Sequence, residues 1–418
     1  MKARYLNQIK LNNLSGYFYP DRIARHLIFT ILEKIKYGRI LIIENQETFV
    51  FGNRESSDSP HAVLIINDPS VYRSFLMRGT IGAGETFMLG KWSSPDLVNV
   101  VRIMSRNLEV MNTLDDKWAI LKKSASYLIH KINNNSIRGS RKNIAAHYDL
   151  SNDFFRTFLD PAMMYSSAIY PEEASGLDSA AVYKLDHICQ KLELKPTDHL
   201  LEIGTGWGGM AIHAARKYGC RVTTTTLSEA QYHYARQQIK DAGLEDRITL
   251  LLKDYRELEG SYDKIVSIEM IEAVGHKYYS QYFMKCSELL RQDGLMLIQA
   301  ITMPDQRYER AIRSVDFIQH YIFPGGELPS IEVIAKHISK DTDMQIIGTE
   351  DITKHYARTL ADWKARFNRG RVQVKNLGFD DVFIRMWEFY FSYCEGGFRE
   401  RVVGTSQFLF AKPGYRFK

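Results

Sequence analysis

The strongest constraint in this sequence is an alternation that begins near residue 180. Helix-like "AAVYKLDHICQKLEL" leads to strand-like "HLLEIG", helix-like "GGMAIHAARKYG", strand-like "RVTTTTL" and helix-like "EAQYHYARQQIKDAG". Strands "ITLLLKD" and "KIVSIEM", helix "YYSQYFMKCSELL" and strand "GLMLIQAIT" follow. Short apolar strands separated by helix-length segments predict an α/β fold whose doubly wound sheet is mainly parallel. In such sheets ligands bind beyond the carboxyl ends of the strands, so the loops there carry the chemistry.

One of those loops is "LLEIGTGWGGMA". Gly204, Gly206 and Gly209 satisfy GxGxxG between an apolar strand and a helix, where small residues let a ligand approach backbone N–H groups and the helix N-terminus. The pattern suits a dinucleotide or S-adenosylmethionine, and a plain tight turn also satisfies it. A dinucleotide site needs an acidic residue about 20 positions further on, whereas Thr224 and Thr226 stand there in "VTTTTLSEAQ". That disfavours NAD. Glu202 is placed for a methionine ammonium or for support of the loop, and Thr226, Leu227 and Gln231 for an adenosine.

The four cysteines, Cys189, Cys220, Cys286 and Cys394, form no CxxC pair and read as buried free thiols, with no metal site expected. Neither a signal peptide nor an apolar run of membrane-spanning length occurs, so the expected location is cytoplasmic. Residues 1–140 hold 19 Lys/Arg against 12 Asp/Glu, or +7 of the net +6, leaving −1 for the remainder. A basic N-terminal third can attract nucleic acid or an anionic membrane, or be a solvated face. The expected organisation is a small α/β domain over 1–130, a polar linker over 131–143 within "HKINNNSIRGSRKN" (130–143), and a larger domain over 144–418.

Seven ordered stretches then carry a resemblance: "HYDLSNDFF" (147–155), "LDPAMMYSSAIY" (159–170), "LLEIGTGWGG", "TLSEAQ", "DYREL", "IEAVG" and "YIFPGGELPS" (321–330). From about 141 to the end the chain resembles the cyclopropane-fatty-acyl-phospholipid synthase family, which includes the mycolic acid cyclopropane synthases. Residues 66–97 resemble, more weakly, the small N-terminal domain of its phospholipid-acting bacterial branch. The resemblance implies a Rossmann-like class I methyltransferase with a helical cover over the acyl site, at about 300–390. It implies S-adenosylmethionine held by Tyr165, Ser166, Glu202, Gly204, Gly206, Thr226, Leu227, Gln231, Tyr255 and Ile268. Tyr255 stands where some relatives have Trp.

The implied reaction adds the sulfonium methyl to the cis double bond of an unsaturated phospholipid acyl chain at the membrane surface and closes a cyclopropane. An alkene is a weak nucleophile, so the site must align it, tolerate a carbocation and exclude water. Bicarbonate is the implied proton acceptor, surrounded by Ser167, Glu272, Gln299, Ile301 and Tyr356. Ser167 replaces a common Cys and Gln299 a common His, which makes a second exit more plausible: a hydride shift giving a methylene- or methyl-branched chain. A catalytically inactive lipid-binding relative is a third reading. The basic third then faces anionic headgroups during peripheral association with the inner face of the membrane; no nucleic-acid partner is expected, and a homodimer stays open. Of the two acidic residues in "IVSIEMIEAVG", Glu272 matches the family's carboxylate. Glu269 stands where relatives often have Gly and is expected to play a structural or supporting role.

Overall fold

The computed structural model describes residues 18–53, 59–111 and 150–416. The chain divides into two compact units, Met1–Lys122 and Lys123–Lys418; the expected linker over 131–143 lies outside the described residues.

In the first unit, helix α1 (Tyr19–Leu32) precedes strands β1 (Gly38–Glu44), β2 (Glu47–Asn53) and β3 (His61–Ile66), helix α2 (Ser70–Met88), the short β4 (Trp92–Ser93) and helix α3 (Leu97–Arg106). The sheet order is β2-β1-β3-β4, with β1 parallel to β3 and antiparallel to β2. Among the described residues of its core Arg25 pairs with Glu44, both buried, and the Tyr72 hydroxyl donates to the second Glu44 oxygen at 2.5 Å. Each charge is thereby paired, the condition under which burial is tolerated.

In the second unit the predicted alternation appears as β5 (His199–Ile203), α4 (Gly209–Tyr218), β6 (Arg221–Thr226), α5 (Glu229–Asp241), β7 (Ile248–Leu252), β8 (Tyr262–Ile268), α6 (Tyr279–Leu289) and β9 (Leu290–Thr302). The seven-stranded sheet continues with β10 (Gln345–Asp351) and β11 (Gly404–Ala411), in the order β10-β11-β9-β8-β5-β6-β7. Strands β5 to β9 run parallel and β11 runs antiparallel to β9 and β10. Both faces are covered. Leu201, Ile203, Ile265, Met296 and Ile298 pack with Phe283 and Ile334 on one side; Leu200, Val222, Val266, Leu295 and Leu297 pack with Ile188 and Ala214 on the other. Burial on both faces is why these strands read as continuous apolar runs.

The stretch 300–390, expected to be largely helical, also contributes β10, an edge strand of the main sheet. Around β10 the stretch is helical: Asp305–Ala311, Ile331–Asp341, Thr353–Arg369 and Asp381–Arg399. The aromatic run in the last of these is core. Trp387, Phe389, Tyr390 and Phe391 are buried, and Trp387 and Phe391 meet Phe158 at ring distances of 5.5 and 5.2 Å. Among the described residues no helix is long and apolar enough to cross a membrane.

Candidate active site

The glycine turn sits at the carboxyl end of β5, the central strand of the parallel run. Gly206 has φ +53, and a Cβ built on it would meet nothing within 4 Å, so the loop backbone is open on that side. At Gly209 a Cβ would lie 2.6 Å from the Ala162 carbonyl oxygen, so glycine here lets "LDPAMMY" close onto the start of α4. Trp207 Nε1 donates to Asn152 Oδ1 at 2.8 Å, joining the turn to the "SNDFF" motif; His147 to Asp149 lie outside the described residues.

The candidate cofactor residues fall into two groups. Gly204, Gly206, Thr226, Leu227, Gln231 and Ile268 cluster at the carboxyl ends of β5, β6 and β8. Thr226 Oγ1 donates to Gln231 Oε1 at 2.9 Å, and Ser228 caps the next helix through Gln231 N–H. An open glycine backbone beside an ordered polar strand end fits the nucleoside and methionine parts of S-adenosylmethionine. Glu202, Tyr255 and Ser166 are placed otherwise. The Glu202 carboxyl is buried, accepts from Thr224 Oγ1 at 2.6 Å across the β5–β6 register and is pushed up to about 8 by burial, which favours the loop-support reading. Tyr255 packs into the core, its ring edge-on to Tyr282 at 5.4 Å. Ser166 Oγ accepts from Lys184 Nζ at 2.9 Å, while the partly buried Tyr165 donates its hydroxyl to that of Tyr390 at 3.0 Å.

The residues assigned to the anion are brought together, and a carboxylate of the chain stands among them. Glu269 Oε1 accepts from Ser167 N–H at 2.8 Å and from Gln299 Nε2 at 2.7 Å; Glu269 Oε2 accepts from the Tyr356 hydroxyl at 2.8 Å. Ile301 N–H donates to Glu272 Oε1 at 2.6 Å. The donors expected around bicarbonate are therefore engaged by Glu269 and Glu272, and they do not fit a free anion in addition. Glu269, for which a structural or supporting role is expected, stands at the centre of these donors.

Gln299 is oriented by a relay. Lys191 Nζ, which can only donate, gives a hydrogen bond to Gln407 Oε1 at 2.8 Å; Gln407 Nε2 donates to Gln299 Oε1 at 2.9 Å. The Gln299 amide N–H groups are left to donate to Glu269 and, at 3.2 Å, to the Ser167 carbonyl. Gln407 faces Gln299 across the β9–β11 register.

Sequence reasoning missed Lys184 and Gln407. Lys184 is fully buried, and burial pulls its ammonium down to about 8 against the opposing pull of Glu269, Asp160 and Glu202. Its spacing was a usable signal, since Ala180, Ala181, Leu185 and Ile188 form one buried helical stripe and Lys184 lies on it.

Glu272 differs from Glu269 in its surroundings. Its Oε2 is buried without a hydrogen-bond partner, and burial, then the Glu269 charge, raise its carboxyl to about 8. Burial also raises Glu269, but three donors and Lys184 oppose that rise, so a proton shared by the pair is better placed on Glu272, whose Oε2 has no donor. Glu202 and Glu272 thus keep protons that exposed glutamates release near pH 4. The folded chain binds more protons between about pH 4 and 8, so stability falls across that window, by up to about 1.4 kcal/mol per pH unit for each group. In Glu272→Gln the melting temperature is expected to fall less steeply from pH 5 to 8 than in the wild type. Parallel curves would show that Glu272 does not carry the proton.

Among the described residues no group of His, Cys, Asp and Glu is arranged to hold a metal. Residues 135–408 match the family model described as mycolic acid cyclopropane synthetase. The chain is 38% identical over 359 residues to the tuberculostearic acid methyltransferase UfaA1 of Mycobacterium tuberculosis, covering 84% of this chain and 83% of that one. It is 33% identical to the cyclopropane-fatty-acyl-phospholipid synthase of Escherichia coli K12, covering 85% and 89%. Of solved structures, the cyclopropane synthase MmaA2 of Mycobacterium tuberculosis superposes with a TM-score of 0.61 at 30% identity, covering 65% of this chain and 98% of that one. CmaA1, complexed with SAH and CTAB, gives 0.61 at 33% identity, covering 65% and 98%. The chain belongs to the mycolic acid cyclopropane synthetase family and is an S-adenosylmethionine-dependent methyltransferase of the cyclopropane synthase type.

Proposed function

We infer that the protein methylates the cis double bond of an unsaturated phospholipid acyl chain and closes it to a cyclopropane. The observation that carries this reading is the carboxylate site itself: a carboxylate held by three donors, next in sequence to Ile268 at the end of β8, one donor being Tyr356 of the aromatic cluster Tyr165, Phe323, Tyr356 and Trp363. S-adenosylmethionine supplies an electrophilic methyl when bound. Gly204, Gly206, Thr226, Leu227, Gln231 and Ile268 would hold it, together with Tyr165. The aromatic cluster excludes water and presents ring faces to a carbocation, and the carboxylate stabilises that charge and offers a place for the departing proton. The N-terminal unit, with its basic excess, would bring the enzyme to an anionic membrane surface.

A second reading concerns the product. The 38% identity to a tuberculostearic acid methyltransferase, against 33% to the E. coli synthase, favours a branched chain. A hydride shift before proton loss leaves a methylene branch on the open acyl chain, isomeric with the cyclopropane, and a saturated branch needs a separate hydride donor. Purified protein given methyl-labelled S-adenosylmethionine and vesicles of cis-monounsaturated phosphatidylglycerol is expected to label the acyl chains. Proton NMR of the released fatty acids separates ring from methylene, and absence of acyl label with cofactor bound would overturn the reading.

A further inference from the structure

The donors assigned to an external base are spent on a side chain. Glu269 accepts three hydrogen bonds, two at Oε1 and one at Oε2. A carboxylate offers about four acceptor directions, so Oε2 keeps one free lone pair. Glu269 also adopts φ +49, a left-handed conformation that costs a non-glycine residue about 1–2 kcal/mol. Its backbone N–H is fixed by the Gln299 carbonyl oxygen at 2.7 Å, so the strain is held in place by the strand beside it. A strained acidic residue, wrapped by donors reaching it from the 167 loop, β9 and the helix Thr353–Arg369, is a built feature. A free bicarbonate here would lose its donors and add negative charge beside the Glu269 carboxylate.

We propose that the Glu269 carboxylate is itself the proton acceptor of the methyl transfer, replacing an external bicarbonate. The proposal rests on the alkene-methylation reading. The alkene π pair forms the bond to the methyl carbon as the carbon–sulfur bond breaks, its pair staying on sulfur and leaving neutral S-adenosylhomocysteine. The positive charge passes to the neighbouring alkene carbon. A C–H bond of the new methyl then breaks: its electron pair closes the ring, and the proton goes to Glu269 Oε2. Release of product lets the carboxyl return that proton to water. No oxidant or reductant is required, and the branched exit uses the same acceptor.

The test uses the full chain, labelled S-adenosylmethionine and cis-monounsaturated phosphatidylglycerol vesicles, in buffer stripped of carbon dioxide or supplemented with bicarbonate. Wild-type transfer is expected to agree within about twofold between the two. In stripped buffer Glu269→Gly should be slower by a hundredfold or more, the range of a lost general base. Bicarbonate should restore that variant at least tenfold and raise its melting temperature, because glycine suits the left-handed backbone and frees the three donors. Glu269→Gln, whose amide fills the space, should stay slow in both buffers and show no bicarbonate-dependent stabilisation. Bicarbonate-dependent transfer by the wild type, or near wild-type turnover by Glu269→Gly in stripped buffer, would overturn the proposal alone. Absence of wild-type transfer in both buffers, with cofactor bound, would overturn the reaction assignment and the proposal with it.

Discussion

Lys184→Met is expected to lower the melting temperature by roughly 10 °C and to weaken cofactor binding. Lys184 has no solvent exposure, donates to Ser166 Oγ at 2.9 Å and is the cation acting on Asp160, Glu202 and Glu269. Methionine reproduces its straight stem, so packing changes little and the lost charge dominates. Removing one partner from a buried ionic group costs about 3–5 kcal/mol, since the other charges stay uncompensated. For a unit of this size each kcal/mol moves the transition by about 2–4 °C. Burial raises all three carboxyls, so acidification protonates them and removes their need for the cation, and the deficit should shrink as the pH falls. Thermal unfolding of both proteins at pH 5, 6.5 and 8 measures this. A variant as stable as the wild type at pH 6.5 would show that the carboxyls do not depend on Lys184.

The parallel sheet was legible because the information is local: each strand from "HLLEIG" to "GLMLIQAIT" is an apolar run bounded by helix-length segments. Strand β10 was not. "QIIGTED" is largely exposed at the sheet edge and has no continuous apolar face, so only its pairing with β11 makes it a strand. At the site, Ser167, Gln299 and Tyr356 lie up to 189 residues apart, and no periodicity links them; the resemblance named them together, and the fold converges them within hydrogen-bonding distance.

The resemblance could not reveal what they hold. Glu269 and Glu272 are three residues apart on one turn, and spacing does not say which carboxylate faces the donors. The left-handed backbone at Glu269 decides it, aiming that side chain at Ser167, Gln299 and Tyr356 while Glu272 reaches the Ile301 N–H. A substitution at a position suited to glycine thus changes the source of the base while leaving its donors in place. Gln299 fits the same logic. An amide with its orientation set by Lys191 and Gln407 holds a carboxylate without titrating near neutral pH, whereas histidine would change charge there.

Tyr356→Phe is expected to reduce methyl transfer by about 10- to 100-fold with cofactor affinity unchanged. The Tyr356 hydroxyl is the donor on Glu269 Oε2, and burial, followed by the Glu269 charge, pushes the phenol far above its usual range, so it donates at every working pH. A hydrogen bond to a charged group contributes about 1.5–3 kcal/mol, which sets the size of the loss. The ring is expected to stay in place, because it stacks on Phe398 at 4.4 Å and meets Trp363 edge-on at 6.1 Å, contacts that phenylalanine keeps. Loss of one donor has two opposed effects on Glu269. The carboxyl holds its proton more tightly, so the acidic limb of the rate profile should move to higher pH; the carboxylate also loses the contact that fixes Oε2, so the maximum rate should fall. A merely structural tyrosine would lower rate and stability together and leave the pH profile where it was. Single-turnover rates from pH 5.5 to 9, with calorimetric binding of S-adenosylmethionine, distinguish the two. An unshifted profile would place Tyr356 outside the proton-transfer site.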